Sequence, residues 1–577
     1  MKVPNMSASR SRVRFKRTKT DKGRKSDIRV PQKPLIKEVK EEDVSLKKQE
    51  ENVLNGKHIR QCILAGQDGM AKLYVALNKG EFCYDSTEDH YYRYENGYWV
   101  IDQINDSLAT GIDKVIDCCI SELERMRAEG VGHETHLWKL TNSTISKLHT
   151  NNYKKNVREM ACQGKDGLAI TGDEWDNHPL KLPCKDVYID LPTGRVYPSR
   201  PHHYFRSHIN TEVNADVGIP KELIRFFHSI FQYTVPPPRP EEFQYDNDPN
   251  QLTVEDRLAY ETACREWEKI RKKYPFVMVD FMQRLLGYAL RGDVKEHILI
   301  IFHGKGRNGK GVLIDLLLHV LGDFAGVVQP ELLLSSSRAG SSANAAPDIL
   351  DLRGRRVVFA SETNEGRQLD SSNVKRLVGG DQLVGRGLFA KYMTRFQPSH
   401  TLFLITNNKP MASPDDFALW ERMIFVPFMV SFVENPDSNN PSEGKIDKDL
   451  ATKLKAEAPS ILNWLIQGHI KYWKEGLDIP EVIKNSTRQY QQEVDVLGHF
   501  IESACQVGSD HKIMARGLYE AYNAWCEDNG HKAYSNTRFG EKMKLRFERV
   551  RTNSGFCYIG ITSDYSSTNQ RNNGGYY

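Results

Sequence analysis

The stretch Ile298-Leu-Ile-Ile-Phe-His-Gly304-Lys305-Gly306-Arg307-Asn308-Gly309-Lys310-Gly311-Val312-Leu-Ile-Asp-Leu-Leu-Leu-His-Val-Leu321 decides the fold. The apolar run Ile298 to Phe302 predicts a buried strand. Val312, Leu313, Leu316, Leu317 and Val320 then recur at helical spacing. A strand, a glycine-rich turn and a helix give G-x-x-x-x-G-K its meaning as a phosphate-binding loop. Glycines let the backbone approach a phosphate and turn N–H groups toward it, and the helix start favours an anion. Residues Gly304, Lys305, Gly306, Arg307, Asn308, Gly309, Lys310, Gly311 and Val312 are therefore the candidate nucleotide contacts, with Lys310 on the β/γ-phosphates. The hydroxyl residue that would meet Mg²⁺ after the lysine is absent: Gly311 stands there.

Downstream, Arg353 to Glu365 predicts an apolar strand, Val357 to Ser361, with Glu362 at its carboxyl end. A carboxylate there can polarise an attacking water and help hold Mg²⁺. His400 to Pro410 predicts another buried strand ending in Asn407, which can orient that water or touch a γ-phosphate. Trp420 to Phe428 predicts a further strand with Arg422 before it, placed to act as an arginine finger in a ring of subunits. Several strands with polar ends on one side build an α/β nucleotide crevice.

Between these segments, Val374 to Phe396 interleaves cations and aromatics around glycines. A hairpin carrying Phe389, Lys391 and Arg395 could meet nucleic acid, its cations on phosphates and its rings on bases. A solvated charged face fits that composition equally well. After Val482, helical patterns at Gln489–Ala504 and Ala515–Asp528 precede Ser535 to Phe547. This last stretch predicts a capped helix with Arg538, Lys542 and Arg546 on a basic face. A hairpin at Arg549 to Gly560 completes a winged-helix pattern, for which DNA contact and protein contact are both open.

The amino-terminal side is less informative. Met1 to Val30 holds 11 Lys/Arg against Asp21 and Asp27, too apolar-poor for a core. Tyr91 to Ile101 predicts a hairpin turning at Asn96-Gly97, and Asp186 to Tyr197 a second strand–turn–strand. Ser107 to Ala128 and Phe276 to Leu290 have helical periodicity. The ten cysteines form no C-x-x-C pair, so no zinc ribbon is expected, and they suit reduced thiols in a cytoplasmic protein. No run is long and apolar enough for a membrane span, so no membrane partner is expected.

The expected organisation is a basic arm at 1–55, an α+β unit at 56–235 and a Pro-rich linker with a charged helical insertion at 236–272. A P-loop ATPase unit follows at 273–480, then a winged-helix-like unit at 481–562 and an Asn/Ser/Gly/Tyr-rich tail at 563–577.

Taken together, the P-loop Gly304–Lys310, the acidic Ala360–Gly366, the Lys375–Gly379-Gly380-Asp381–Arg386 segment and the Thr406-Asn407-Asn408-Lys409-Pro410 strand end resemble the superfamily 3 helicases. The resemblance is to the helicase half of phage and plasmid primase–helicases, and upstream to the amino-terminal domain of poxvirus-type helicases. It implies an α/β, AAA+-like core in a homo-hexameric ring that hydrolyses ATP with Mg²⁺ and moves 3′ to 5′ on single-stranded or forked DNA. Lys310 would bind phosphate, Glu362 activate water, Asn407 sense the γ-phosphate and Arg422 act across the interface. The implied setting is replication of a phage, prophage, plasmid or other mobile element in a bacterial host. A separate primase or origin-binding protein is a candidate partner. The residues before the ATPase lack the acidic and zinc motifs of a primase, so primer synthesis is not expected. Gly311 keeps an alternative open: an ATP-binding origin-binding or scaffold protein with weak hydrolysis.

Overall fold

A computed structural model describes residues 55–214, 216–232, 238, 254–335, 347–361, 367–387, 393–553 and 555–565. The expectations for the basic arm, most of the Pro-rich linker and most of the carboxy-terminal tail lie outside these residues. Within them the protein is mixed α/β, with a parallel sheet at its centre. Its five strands are β1 Leu299–His303, β2 Ala325–Val328, β3 Val357–Ser361, β4 Thr401–Thr406 and β5 Met423–Pro427, in the spatial order β5-β1-β4-β3-β2.

Alternation along the strands explains the unbroken apolar runs. Ile300, Phe302, Phe359, Phe403, Ile405, Ile424 and Val426 face one buried cluster. Leu299, Ile301, Val358, Ala360, Leu402, Leu404, Met423 and Phe425 face the other. Both faces are covered, as a parallel sheet requires. The Lys310–Leu321 helix and helix Ala458–Glu475 cover the first face. Helix Ser371–Val378 and Tyr490 of helix Glu481–Glu493 cover the second. Strand β2, at the sheet's edge, is short and carries Gly326, which hid it from the sequence pattern.

Several expectations hold closely. Strands His90–Glu95 and Tyr98–Ile101 pair around Asn96 and Gly97, whose φ of 51° and 87° suit a tight hairpin turn. Strands Val187–Asp190 and Arg195–Pro198 form the second expected pair. The 272/273 boundary does not: one 35-residue helix, Val254–Tyr288, runs through it and through Pro275. Its exposed half is laced by pairs such as Lys272–Glu268, and its second half buries Met278, Phe281, Met282 and Leu285. That packing offsets the roughly 3 kcal/mol an interior proline costs. The 235 boundary likewise cuts across one core, because Leu182, Phe227 and Phe231 pack in the same cluster as Phe302 and Leu317.

In the carboxy-terminal part, the expected helix Gln489–Ala504 is two, Glu481–Glu493 and Val496–Ala504. Asp495 at the break accepts from Gly498 N at 3.0 Å and caps the second. A strand the sequence did not signal, Gln506–Met514, joins Arg549–Thr552 and Gly555–Thr562 in a three-stranded antiparallel sheet. Helices Ala515–Asp528 and Asn536–Lys544 share a core with it, built on Leu518, Tyr522, Phe539 and Tyr558.

The run Arg353-Gly354-Arg355-Arg356 fastens these parts together. Arg353 pairs with Glu88 at 2.7 Å, and Arg355 donates to Ala325 O at 2.7 Å. Burial would raise the Glu88 carboxyl, but Arg206 and Arg353 beside it hold it down at about 2. Arg356 is 3% exposed and donates to Leu290 O and Lys181 O, both at 2.6 Å. Arg356→Met should therefore take this donor from the buried Leu290 and part-buried Lys181 carbonyls and cost about 2–5 kcal/mol. Urea unfolding should show a lower midpoint, while Arg271→Ala on the exposed helix should shift stability by less than about 0.5 kcal/mol. Equal midpoints would refute the fastening role.

Candidate active site

The site lies at the carboxyl ends of the central strands. Registers place His303 beside Thr406 on one side and Pro427 on the other, with Ser361 next to Ile405. Between β1 and the helix Lys310–Leu321, the chain makes the glycine-rich loop. Gly306, Arg307 and Gly309 have φ of 99°, 50° and 81°. Asn308 is buried and donates to Phe428 O at 3.4 Å. Arg307 O accepts from Phe432 N at 2.7 Å, and Gly306 O from Ser431 Oγ at 3.3 Å. The segment following β5 thus clamps the loop from outside.

Helix Lys310–Leu321 begins at Gly309 with no side chain capping its first N–H groups. Such an end attracts an anion. Lys310 is 6% exposed, and burial pushes its ammonium down to about 8. Its Nζ donates to Gly304 O at 2.6 Å and to Asn407 Oδ1 at 3.0 Å. Two residues picked 97 positions apart in the sequence therefore meet in space. His303, held neutral by burial and by the cations Lys409 and Lys310, sits at about 4 beside them. Lys409 pairs with Glu493 and lies 5.3 Å over the Phe425 ring.

The other expected residues fare differently. Glu362, Phe389 and Lys391 lie outside the described residues, although Glu362 directly follows Ser361 at the end of β3. Two strands of the expected hairpin are present: Leu383–Gly385 pairs antiparallel with Thr394–Phe396, and Arg395, opposite Val384, is exposed. Lys305 and Arg307 are exposed on the loop. Arg422 precedes β5, at the amino end of the sheet, so it does not join Lys310 in this chain. Its Nη1 donates to Ala418 O at 2.6 Å, and its Nε is buried without a partner.

Lys542 and Arg546 require a correction. They were expected on a DNA-facing helix surface, but they point into the protein. Lys542 is 7% exposed and pairs with Asp415. Arg546 bonds Asp415 at 3.0 Å and Asp495 at 2.9 Å. These paired cations, Lys542 buried and Arg546 half-buried, clamp the carboxy-terminal region to the loop after β4. Arg538 remains exposed, 4.9 Å over the Tyr534 ring. Described residues contain no cluster of three or more His, Cys, Asp or Glu suited to a metal.

Sequence reasoning missed Phe226. A Cβ on Gly309 would lie 2.8 Å from its ring, so helix Lys221–Ile230 backs the glycine-rich loop. No local signal marks a residue 83 positions upstream. Around Gly311, by contrast, nothing lies within 4 Å of an added Cβ.

A family model described as D5 N terminal like matches residues 69–236, and one described as poxvirus D5 protein-like matches 492–573. Among curated proteins, the chain is 27% identical over 262 residues to "Putative helicase L207/L206" of Acanthamoeba polyphaga mimivirus, covering 44% of this chain and 27% of that protein. It is 26% identical over 321 residues to "Putative helicase V13" of Sputnik virophage, covering 52% and 40%. "Putative primase C962R" of an African swine fever virus isolate is 27% identical over 273 residues, covering 46% and 27%. The chain thus spans about a quarter to two fifths of these relatives' lengths. A solved structure of the NrS-1 C-terminal region superposes with a TM-score of 0.42 at 11% identity, over 85% of this chain and 98% of that one.

The two glycines separate by experiment. Gly309→Ala must hold φ near 81° and press on Phe226, which should cost about 1–3 kcal/mol. Gly311→Ala, in open space inside a helix, should be neutral or stabilising by up to about 1 kcal/mol. Thermal melting of both variants checks this; equal melting temperatures would overturn it.

Proposed function

We propose that this chain, which carries a D5 N-terminal-like region and a poxvirus D5 protein-like region, is an ATP-dependent DNA helicase replicating a viral or other mobile genome. The observation that carries the reading is the buried Lys310 ammonium, set at an uncapped helix start and bonded to Asn407. A desolvated cation among free N–H groups suits the β/γ-phosphates of ATP. On binding, the phosphates replace Gly304 O and Asn407 as partners of Lys310. Asn407 is then free to contact the γ-phosphate or the attacking water. Glu362, one residue past β3, takes the base role on that water. Mg²⁺, when bound, neutralises phosphate charge. Glu362 would hold it with phosphate oxygens, since Gly311 supplies no hydroxyl.

In this reading the loop is a P-loop in an ATPase unit built on the five-stranded sheet, and the three-stranded sheet with its helices is a winged helix. Six copies form a ring. Arg422, unable to reach its own Lys310, serves the neighbour's site, and the hairpin bearing Phe389, Lys391 and Arg395 faces single-stranded DNA in the channel. Gly311 favours a second reading, an ATP-binding scaffold with weak hydrolysis.

DNA-stimulated ATP turnover tests the two. Lys310→Ala should abolish tight ATP binding and turnover, whereas Glu362→Gln should bind and not turn over. Wild-type turnover no greater than that of Lys310→Ala would sink the helicase reading. Because Lys310 binds phosphate only when protonated and burial holds it at about 8, ATP affinity should fall about ten-fold between pH 7 and pH 9. Isothermal titration at both pH values reads this; a flat profile would exclude Lys310 as the phosphate cation.

The ring carries a separate expectation. Mixing Arg422→Ala with Lys310→Ala subunits should restore part of the hydrolysis, since a mixed interface can pair an intact loop with an intact arginine. No rescue in proven mixed assemblies would assign Arg422 to its own subunit.

A further inference from the structure

Helices His136–Leu148 and Asn151–Ala161 are joined by two residues, His149 and Thr150. Their inner faces pack Thr141, Thr144, Leu148, Val157 and Ala161 against the amino-terminal helical core. From Thr135 to Arg158 there is no Asp or Glu, while Lys139, Lys147, Lys154, Lys155 and Arg158 are present. The exposed face carries Asn142, Ser143, Lys147, Asn152, Lys155 and Asn156.

The cations divide by their surroundings. Arg158 is buried over the Tyr91 ring and donates to Ser107 Oγ at 3.0 Å. Lys139 pairs with Glu134, and Lys154 lies 4.0 Å from Asp113. Among the described residues, Lys147 and Lys155 form no ion pair. Acids border the face: Glu134 before the pair, Glu159 one helical turn beyond Lys155, and Asp113 and Asp117 on the adjoining helix Thr110–Ala128. The exposed half of helix Val254–Tyr288 is a contrast, since it pairs lysines with glutamates at helical spacing. Opposite charges along a solvated helix are the ordinary arrangement, and their absence between Thr135 and Arg158 leaves an excess of positive charge that suits an anionic partner.

We infer that this helix pair is a second nucleic-acid contact, in which Lys147, Lys155 and the surrounding Asn and Ser side chains bind the phosphate backbone. Lysine, asparagine and serine are the donors that meet phosphates and sugars without reading sequence. An anionic membrane fits less well. Interfacial binding needs exposed apolar side chains beside the cations, and no large hydrophobic residue between Ile120 and Ile219 is exposed among the described residues. The inference rests on the DNA half of the proposed function and not on ATP turnover. It adds a contact away from the hairpin and the nucleotide site.

Salt titration of single-stranded DNA binding by the full chain tests it. Lys147→Gln with Lys155→Gln removes two phosphate contacts and should flatten the log–log salt slope by about 1.4. Lys269→Gln with Lys272→Gln removes the same charge from the mixed-sign helix and should leave the slope unchanged. Lys147→Arg with Lys155→Arg should keep wild-type binding. Equal slopes for the two Gln pairs would overturn the inference, as would loss of binding to anionic vesicles with DNA binding intact. ATP turnover without DNA, measured alongside, separates this proposal from the helicase reading. Turnover with an unchanged slope rejects the helix pair alone. A flattened slope in a protein that never turns over ATP keeps the helix pair and rejects the helicase.

Discussion

A parallel sheet joined by crossovers must be covered on both faces, so the strand ends are its open border. In this protein Phe302, Phe359 and Phe403 fill one face, while Ile301, Leu404 and Phe425 fill the other. Groups that need solvent or ligand are therefore forced to the carboxyl edge. His303, Ser361, Thr406 and the glycine-rich loop gather there because nothing polar can sit along the strands themselves. The order β5-β1-β4-β3-β2 puts β1 between β4 and β5. Lys310 can then reach Asn407 on one side while the loop is clamped through Phe428 and Phe432 on the other.

The chain after β4 is held from several directions. Its first residue, Asn407, accepts from Lys310. Lys409 pairs with Glu493, and Pro410 O accepts from Tyr490 OH. Further along, Asp415 takes Lys542 and Arg546, while Asp416 takes Lys375 at 2.8 Å and caps the short helix Phe417–Trp420. One loop thus joins the candidate phosphate site to the carboxy-terminal region. Its acids explain why the basic helix faces inward. Pairing with these carboxylates keeps each cation matched as it leaves water, since an unpaired buried charge would cost several kcal/mol.

Cations in this molecule fall into distinct physical roles. Arg356 and Lys310 are buried with only neutral oxygens for partners, so each is pushed below its ordinary range, to about 10 and about 8. Arg356 is saturated by two backbone carbonyls and fixes structure. Lys310 is held by one carbonyl and one side-chain amide oxygen, beside a helix end that no side chain caps. Lys542 and Arg546 are matched by acids and dock one part of the chain to another. Lys147 and Lys155 stand exposed in a stretch, Thr135 to Arg158, that holds no acid.

Much of the centre was legible in the sequence because its signals are local. Strand, glycine turn and helix, the polar residue after each apolar run, the Asn96-Gly97 turn and the hairpin at Leu383–Phe396 each follow from a few neighbouring residues. The sequence by itself determined that a glycine-rich loop would precede a helix and that Asn407 would follow a buried strand. Tertiary structure alone decided which groups meet. The 35-residue helix continues through Pro275 because distant packing outweighs one missing backbone bond. Phe226 backs Gly309 although no local pattern links them. Lys542 and Arg546 turned from a basic face into a clamp because Asp415 and Asp495, far away in the chain, come within bonding distance. Periodicity and turn chemistry act between neighbours in sequence, whereas burial and charge pairing depend on what folding brings alongside.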